Sequence, residues 1–285
     1  MTPRLCSLAA VLALGIASSA TMLVSTEWLA DHLRDEGLVI LHVGSQKDYG
    51  EGHIPGARLI SVADISVTGN SGLRVEMPPV AALEEAFGKL GIGPRSLVLV
   101  YAGTASVPSA TRVWFTLDSL GWGDRAALLD GGLALWRSQG RPVSTEAPRI
   151  QPASFTAQQA PDRIVDAGWL REHLQDRTVQ ILDARTPEFY SGASAGSMPR
   201  AGHIPGARNV PFNSLFDDQG KLKPASALRE LFVTGPTAPG ATVSYCHIGM
   251  QASVVYFVAR YLGLPARLYD GSFQDWSSQS ALPVE

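Results

Sequence analysis

Chemistry in this 285-residue chain converges on one side chain, Cys246. It stands in Val243-Ser244-Tyr245-Cys246-His247-Ile248-Gly249-Met250-Gln251-Ala252-Ser253, which reads as an apolar strand, a tight loop and then an apolar helix from Val254. In open parallel α/β sheets, ligands bind beyond the carboxyl ends of the strands, and Cys246 sits at such a strand exit. A loop curled around the sulfur would aim backbone N–H groups from His247 to Ser253 at it, and the helix would add positive end potential. Both favour thiolate over thiol, so the spacing predicts a pKa below the usual ~8.5 and a nucleophile competent at neutral pH. His247 could donate a hydrogen bond or assist deprotonation of an incoming thiol, given an imidazole's ordinary pKa of ~6.5; its other reading is a solvent-facing loop residue. The competing reading of Cys246 is an inert thiol, since free cysteine is among the most buried residue types.

The remaining composition narrows the field. The other cysteine, Cys6, lies in a leader-like segment, so a disulfide scaffold and CxxC-based zinc or dithiol chemistry are excluded. Arg4, an apolar run over 5–16 and Ser18-Ser19-Ala20 read as a secretory signal peptide over 1–20. That run falls short of the ~20 residues of a membrane span. The expectation is a periplasmic or secreted protein, free of the membrane after cleavage and monomeric. With 23 Lys+Arg against 26 Asp+Glu, the formal charge of −3 offers no basic surface for nucleic acid.

The elements that must position Cys246 occur twice. Val24-Ser25-Thr26-Glu27-Trp28-Leu29-Ala30-Asp31-His32-Leu33 returns as Val165-Asp166-Ala167-Gly168-Trp169-Leu170-Arg171-Glu172-His173-Leu174 at an offset of 141. Gly-His-Ile-Pro-Gly-Ala-Arg occurs at 52–58 and again at 202–208. Tyr101 matches Tyr245, and Asp130-Gly131 with Trp136 matches Asp270-Gly271 with Trp276. A period this long exceeds solenoid repeats and marks domain duplication. Within each copy, expected strands (39–43, 97–101, 126–129; 179–183, 242–245, 266–269) alternate with expected helices (27–34, 80–90, 111–120; 168–175, 225–232, 253–262). That alternation predicts an α/β fold, each copy a small parallel sheet flanked by helices on both faces. The boundaries expected are a leader over 1–20, a first domain over 21–144, a Pro-containing linker over 145–163 and a second domain over 164–285.

Comparison of the copies separates scaffold from chemistry. Ala102 holds the place of Cys246, so the first copy has no nucleophile. Arg185 leaves the end of a strand expected beside the cysteine strand, where the first copy has Gly44. Cation and nucleophile are missing together, as a joint role in one site would produce; an ion pair with Asp183 or Glu188 explains Arg185 equally well. His53 and His203 occur in both copies and read as turn-holders beside Gly56 and Gly206. Trp136 and Trp276 read as packing anchors, and Asp130 and Asp270 as fixing the turns ahead of them.

These duplicated domains, with their Gly-His-Ile-Pro-Gly-Ala and Asp-Gly-x-x-x-x-Trp segments and a C-terminal cysteine opening a short loop, resemble the tandem-domain rhodanese family of thiosulfate and 3-mercaptopyruvate sulfurtransferases. The resemblance implies an inactive N-terminal copy packed on a catalytic C-terminal one. It implies ping-pong transfer of sulfane sulfur from a small anionic donor, through a persulfide on Cys246, to a thiol or cyanide, without metal or organic cofactor. Cys246-His247-Ile248-Gly249-Met250-Gln251 matches neither the basic loop of thiosulfate specialists nor the Cys-Gly-Ser/Thr-Gly of mercaptopyruvate specialists. Glu188-Phe189-Tyr190 also occupies a stretch where some relatives carry a further substrate arginine. Arg200 and Arg208 are the substitutes on offer, though Arg208 has a twin in Arg58. Two rival functions are a persulfide carrier serving a dedicated partner and a Cdc25-type phosphatase. The latter needs an arginine six residues beyond the cysteine, where this chain has Ala252.

Overall fold

The computed structural model describes residues 22–104, 106–234 and 239–285; the leader expected at 1–20 lies outside them. The first copy contributes β1 (Leu23–Val24), β2 (Leu38–Val43), β3 (Arg58–Ile60), β4 (Leu97–Ala102) and β5 (Ala126–Leu129). The second contributes β6 (Ile164–Val165), β7 (Val179–Asp183), β8 (Arg208–Asn209), β9 (Ala241–Tyr245) and β10 (Ala266–Tyr269). Each set forms a parallel five-stranded sheet, ordered β1-β5-β4-β2-β3 and β6-β10-β9-β7-β8. The second sheet thus repeats the first strand for strand, and the catalytic candidate leaves the central strand, β9.

Around the first sheet lie α1 (Thr26–His32), α2 (Gln46–Gly50), α3 (Val80–Lys89), α4 (Val107–Ser119) and α5 (Gly132–Ser138). Their counterparts are α6 (Ala167–Glu172), α7 (Pro187–Tyr190), α8 (Ala225–Phe232), α9 (Met250–Tyr261) and α10 (Ser272–Ser278). Alternate strand residues point to opposite faces. Val39, Leu41, Val98 and Val100 therefore join one core with Leu83 and Phe87 of α3, while Ile40, Leu99 and Tyr101 join another with Leu29 and Trp136. Helices cover both faces, as the apolar strands require. Trp136 and Trp276 are fully buried, and each donates its ring N–H to a proline carbonyl at the end of its own copy.

The two copies share a core. Helices α4 and α9 cross at the interface, where Trp114 meets Phe257 edge to face at 4.8 Å and Phe115 meets Tyr256 at 4.9 Å. Thr111 Oγ1 and Ser253 Oγ, 2.7 Å apart, join the two helices directly. Residues 145–160 carry neither helix nor strand and run along the first copy, with Phe155 stacked on Trp122 at 4.6 Å.

Candidate active site

The loop after β9 is wrapped around sulfur. The backbone N–H groups of Ala252, Ile248 and Gln251 lie close enough to Cys246 Sγ to favour its thiolate. Gln251 and Ala252 belong to the first turn of α9, whose leading N–H groups have no partner inside the helix, so the sulfur occupies the place of a capping acceptor. This arrangement exists because α9 begins at Met250, three residues before the helix expected at 253–262, on a Gly249 cap with φ of +82°. A Cβ at 249 would also lie 2.9 Å from Arg112 Nη1 and 3.0 Å from Asp270 Oδ1, so glycine is required both for its conformation and for its size.

The cradle does not ionise the resting thiol. Cys246 is 1% exposed, and burial pushes its pKa above the ordinary thiol value although the three amides pull it down. The expectation of a depressed pKa weighed the donors and omitted the desolvation that accompanies them. What the geometry offers is an anion site: donors already aimed at the position where negative sulfur must rest.

Structural support for the nucleophile comes from α10. Cys246 N–H donates to Ser272 Oγ at 3.2 Å, while the carbonyls of Cys246 and His247 accept from Phe273 and Gln274 N–H, each at 2.9 Å. Ser272 has φ of +52°, and the matching residue of the first copy, Gly132, has +54°. Sequence reading missed Ser272; its signal was a serine aligned with a glycine directly after Asp-Gly in both copies. His247 is half-buried rather than solvent-facing, with its ring edge-on to Phe189 at 4.6 Å. Burial, then the Arg185 charge, hold its pKa below the ordinary imidazole value, so the ring is neutral at neutral pH. Ser253 N–H was expected among the donors around sulfur, but the amides that act on Cys246 are those of Ala252, Ile248 and Gln251, while the Ser253 hydroxyl donates to Met250 O at 2.7 Å and lies 2.7 Å from Thr111 Oγ1 across the interface.

Arg185 is not an available cation. Its guanidinium is 1% exposed, meets Asp183 Oδ2 at 2.6 Å, also donates to Gly202 O at 2.7 Å and packs 4.1 Å from the Phe273 ring centroid. Burial opposes the charge on Arg185, but Asp183 outweighs it and holds the guanidinium pKa up. A paired, enclosed guanidinium brings no net charge to an anionic donor, so the pair supports the floor of the site. Arg200 is likewise committed, donating to the carbonyls of Ser277, Leu282, Trp276 and Gln279, and Arg208 donates to Leu231 O and Gln180.

Asp130 and Asp270 reach further than the turns expected of them. Asp270 pairs with buried Arg112 of the first copy at 2.6 Å and accepts Met77 N–H at 3.2 Å. Asp130 accepts Leu222 N–H of the second copy at 2.9 Å. Each copy therefore holds a loop of the other over its own strand exits. His53 and His203 bond the carbonyls of Tyr49 and Tyr190 through Nδ1, and Gly56 and Gly206 have φ of +79° and +75°, in keeping with a turn-holding motif.

Residues 25–139 and 166–279 each match the family model described as the rhodanese-like domain. A putative thiosulfate sulfurtransferase of Synechococcus elongatus is 35% identical over 284 residues, covering 94% of this chain and 87% of its own. The sulfur carrier protein TtuD of Thermus thermophilus is 32% identical over 289 residues, covering 92% and 96%. The 3-mercaptopyruvate sulfurtransferase of Escherichia coli K12 is 30% identical over 281 residues, covering 94% and 99%. In fold, the chain resembles a solved structure of EanB that carries a cysteine persulfide and ergothioneine, with a TM-score of 0.82, 19% identity and coverage of 93% of this chain and 70% of that one.

Proposed function

Since this chain belongs to the rhodanese-like family, with one such domain in each half, we propose that it is a sulfurtransferase that carries sulfane sulfur on Cys246 from thiosulfate or 3-mercaptopyruvate to a thiol or cyanide. The observation that carries this reading is the set of three N–H groups converging on a buried sulfur. Attack by the Cys246 thiolate on the outer sulfur of thiosulfate forms one S–S bond and breaks another, sulfite leaving with the bonding pair. With 3-mercaptopyruvate the C–S bond breaks instead, and the donor's thiol hydrogen ends on the methyl group of pyruvate. In both cases the negative charge passes to the new outer sulfur. Preorganised donors around a dry site stabilise such an anion without reorganisation, and neither a metal nor an organic cofactor is needed.

Discharge asks for an acceptor thiolate. His247, neutral and beside the nucleophile, offers a ring nitrogen that can take the proton of an incoming thiol. Phosphate chemistry is disfavoured because no arginine occurs between Cys246 and Ser253 to grip a transferring phosphoryl group. A carrier function draws support from the likeness to the Thermus thermophilus protein. Intact mass measurement after incubation with each donor separates these readings. A gain of one sulfur atom, lost again on adding cyanide or a small thiol over many turnovers, is the enzyme outcome; loading without turnover is the carrier outcome, and no gain from either donor overturns both. Export to the periplasm or medium is proposed from the leader, and recovery of the exported protein beginning at Met1 would count against cleavage.

A further inference from the structure

We infer that Arg74, supplied by the N-terminal copy, is the cation that receives the oxyanion end of the sulfur donor at Cys246. This inference rests on the sulfurtransferase reading above. The other arginines around the loop are engaged: Arg185 with Asp183, Arg112 with Asp270, and Arg200 with backbone carbonyls. Arg74 is exposed, and its guanidinium has no hydrogen-bond or ion-pair partner among the described residues.

Its position is fixed although its side chain is open. Arg74 N–H donates to Gln274 Oε1 at 3.0 Å, and Gln274 Nε2 donates to Gly72 O at 3.2 Å. Gln274 N–H in turn donates to the carbonyl of His247 at 2.9 Å, so one glutamine ties the Arg74 turn to the residue after the nucleophile. The next residue, Val75, has φ of +63°, a conformation that β-branched side chains resist. Arg112 Nη2 holds the Val75 carbonyl at 2.6 Å, and Asp270 holds Met77 N–H, so the buried pair under Gly249 enforces the strained turn.

The silent copy supplies the contrast. Met77 bonds Asp270 and Leu222 bonds Asp130; counting back three residues from each reaches Arg74 and Gln219. Gln219 lines the cavity over Ala102 and Gly103. The loop tied through Gln274 to His247 thus brings a cation at a position where its counterpart brings an uncharged amide. A sulfonate and a carboxylate both present oxygens that a guanidinium can bind through paired N–H groups, a geometry that lysine cannot copy.

The test compares unaltered protein with Arg74→Ala, Arg74→Lys and Arg74→Gln, measuring persulfide formation by rapid-quench mass measurement with thiosulfate and with 3-mercaptopyruvate. Arg74→Ala and Arg74→Gln are expected to lower kcat/KM for both donors by roughly 10- to 100-fold, mainly through KM, with Arg74→Lys recovering part. The salt dependence of donor KM should flatten in the two uncharged variants. Discharge of preloaded persulfide to dithiothreitol should change far less than loading, and thermal unfolding should stay unchanged because the side chain is exposed. Unaltered donor KM and salt dependence in Arg74→Ala would overturn the inference while leaving the sulfurtransferase reading intact. Failure of the unaltered protein to load from either donor would overturn both.

Discussion

At the exit of β9 three backbone N–H groups close on a sulfur, whereas at the exit of β4 the same place is Ala102 and a cavity of about 330 Å³ opens beside it. The copies agree in strand order, in the Asp-Gly segment, in the left-handed residue after it and in the loop each receives from the other. They differ in how the chain travels from strand to helix. Cys246 and Ser253 are separated by two fewer residues than their counterparts Ala102 and Thr111, and Pro108 in the first turn of α4 has no N–H to donate. Beneath the loops, buried Asp183–Arg185 in one copy is replaced by buried His42–Asp48 in the other. The first copy therefore departs from the second in loop length and in the proline at its helix start, as well as in the missing cysteine.

The severest way to break that comparison is to move the thiol. Cys246→Ala is expected to reduce sulfur transfer to background while leaving thermal unfolding within about 1 kcal/mol, since little volume is lost. Adding Ala102→Cys to that variant is expected to restore nothing, because the longer loop with Pro108 does not gather amides around the new sulfur. Thiocyanate production from thiosulfate and cyanide measures both. Activity returning in the double variant would mean that any strand-exit thiol suffices and that the cradle is incidental.

A smaller effect follows from the floors of the two sites. Arg185→Ala leaves the Asp183 carboxylate buried and unpaired, which is expected to destabilise the protein by about 3–5 kcal/mol. In the first copy, burial and the neighbouring His53 and Arg137 hold the His42 pKa down against the pull of Asp48, so His42 is a neutral partner. Thr104 N–H also donates to Asp48 at 2.8 Å, so His42→Ala should cost less, about 1–3 kcal/mol. Denaturant unfolding compares the two variants. If Arg185→Ala instead left stability unchanged and raised only the donor KM, Arg185 would be a substrate contact after all.

Much of this was legible because the sequence contains its own control. Repetition marked Gly56, Gly206, Trp136 and Trp276 as scaffold, and the lone Cys246 stood out against Ala102. Apolar runs located the central strands, with β5, β7 and β10 matching residue for residue. The edge strands β1, β3, β6 and β8 escaped because two or three residues carry no period, and α2 and α7 because four or five residues complete little more than one turn. The start of α9 was read late because a glycine cap in the left-handed region looks like loop. The loop exchange through Asp130, Asp270 and Arg112 was invisible for a different reason: partners 158 residues apart, as Arg112 and Asp270 are, leave no local pattern.

The mildest test asks when the sulfur of the second copy becomes charged. Burial raises the Cys246 pKa, so the folded protein favours the neutral thiol, and the thiolate should form above the pH at which an ordinary thiol ionises. Because the folded state keeps this proton longer than the unfolded chain, the contribution of Cys246 to stability should fall as pH rises through the ordinary thiol range. Subtracting the ultraviolet titration of Cys246→Ala from that of the unaltered protein isolates this one thiolate and cancels Cys6 and the tyrosines. Within the rising limb, persulfide formation should gain about tenfold per pH unit, as expected for attack by the thiolate alone. A difference spectrum already complete at neutral pH would show that the amides ionise the resting thiol, shifting their work from holding the persulfide to activating the nucleophile.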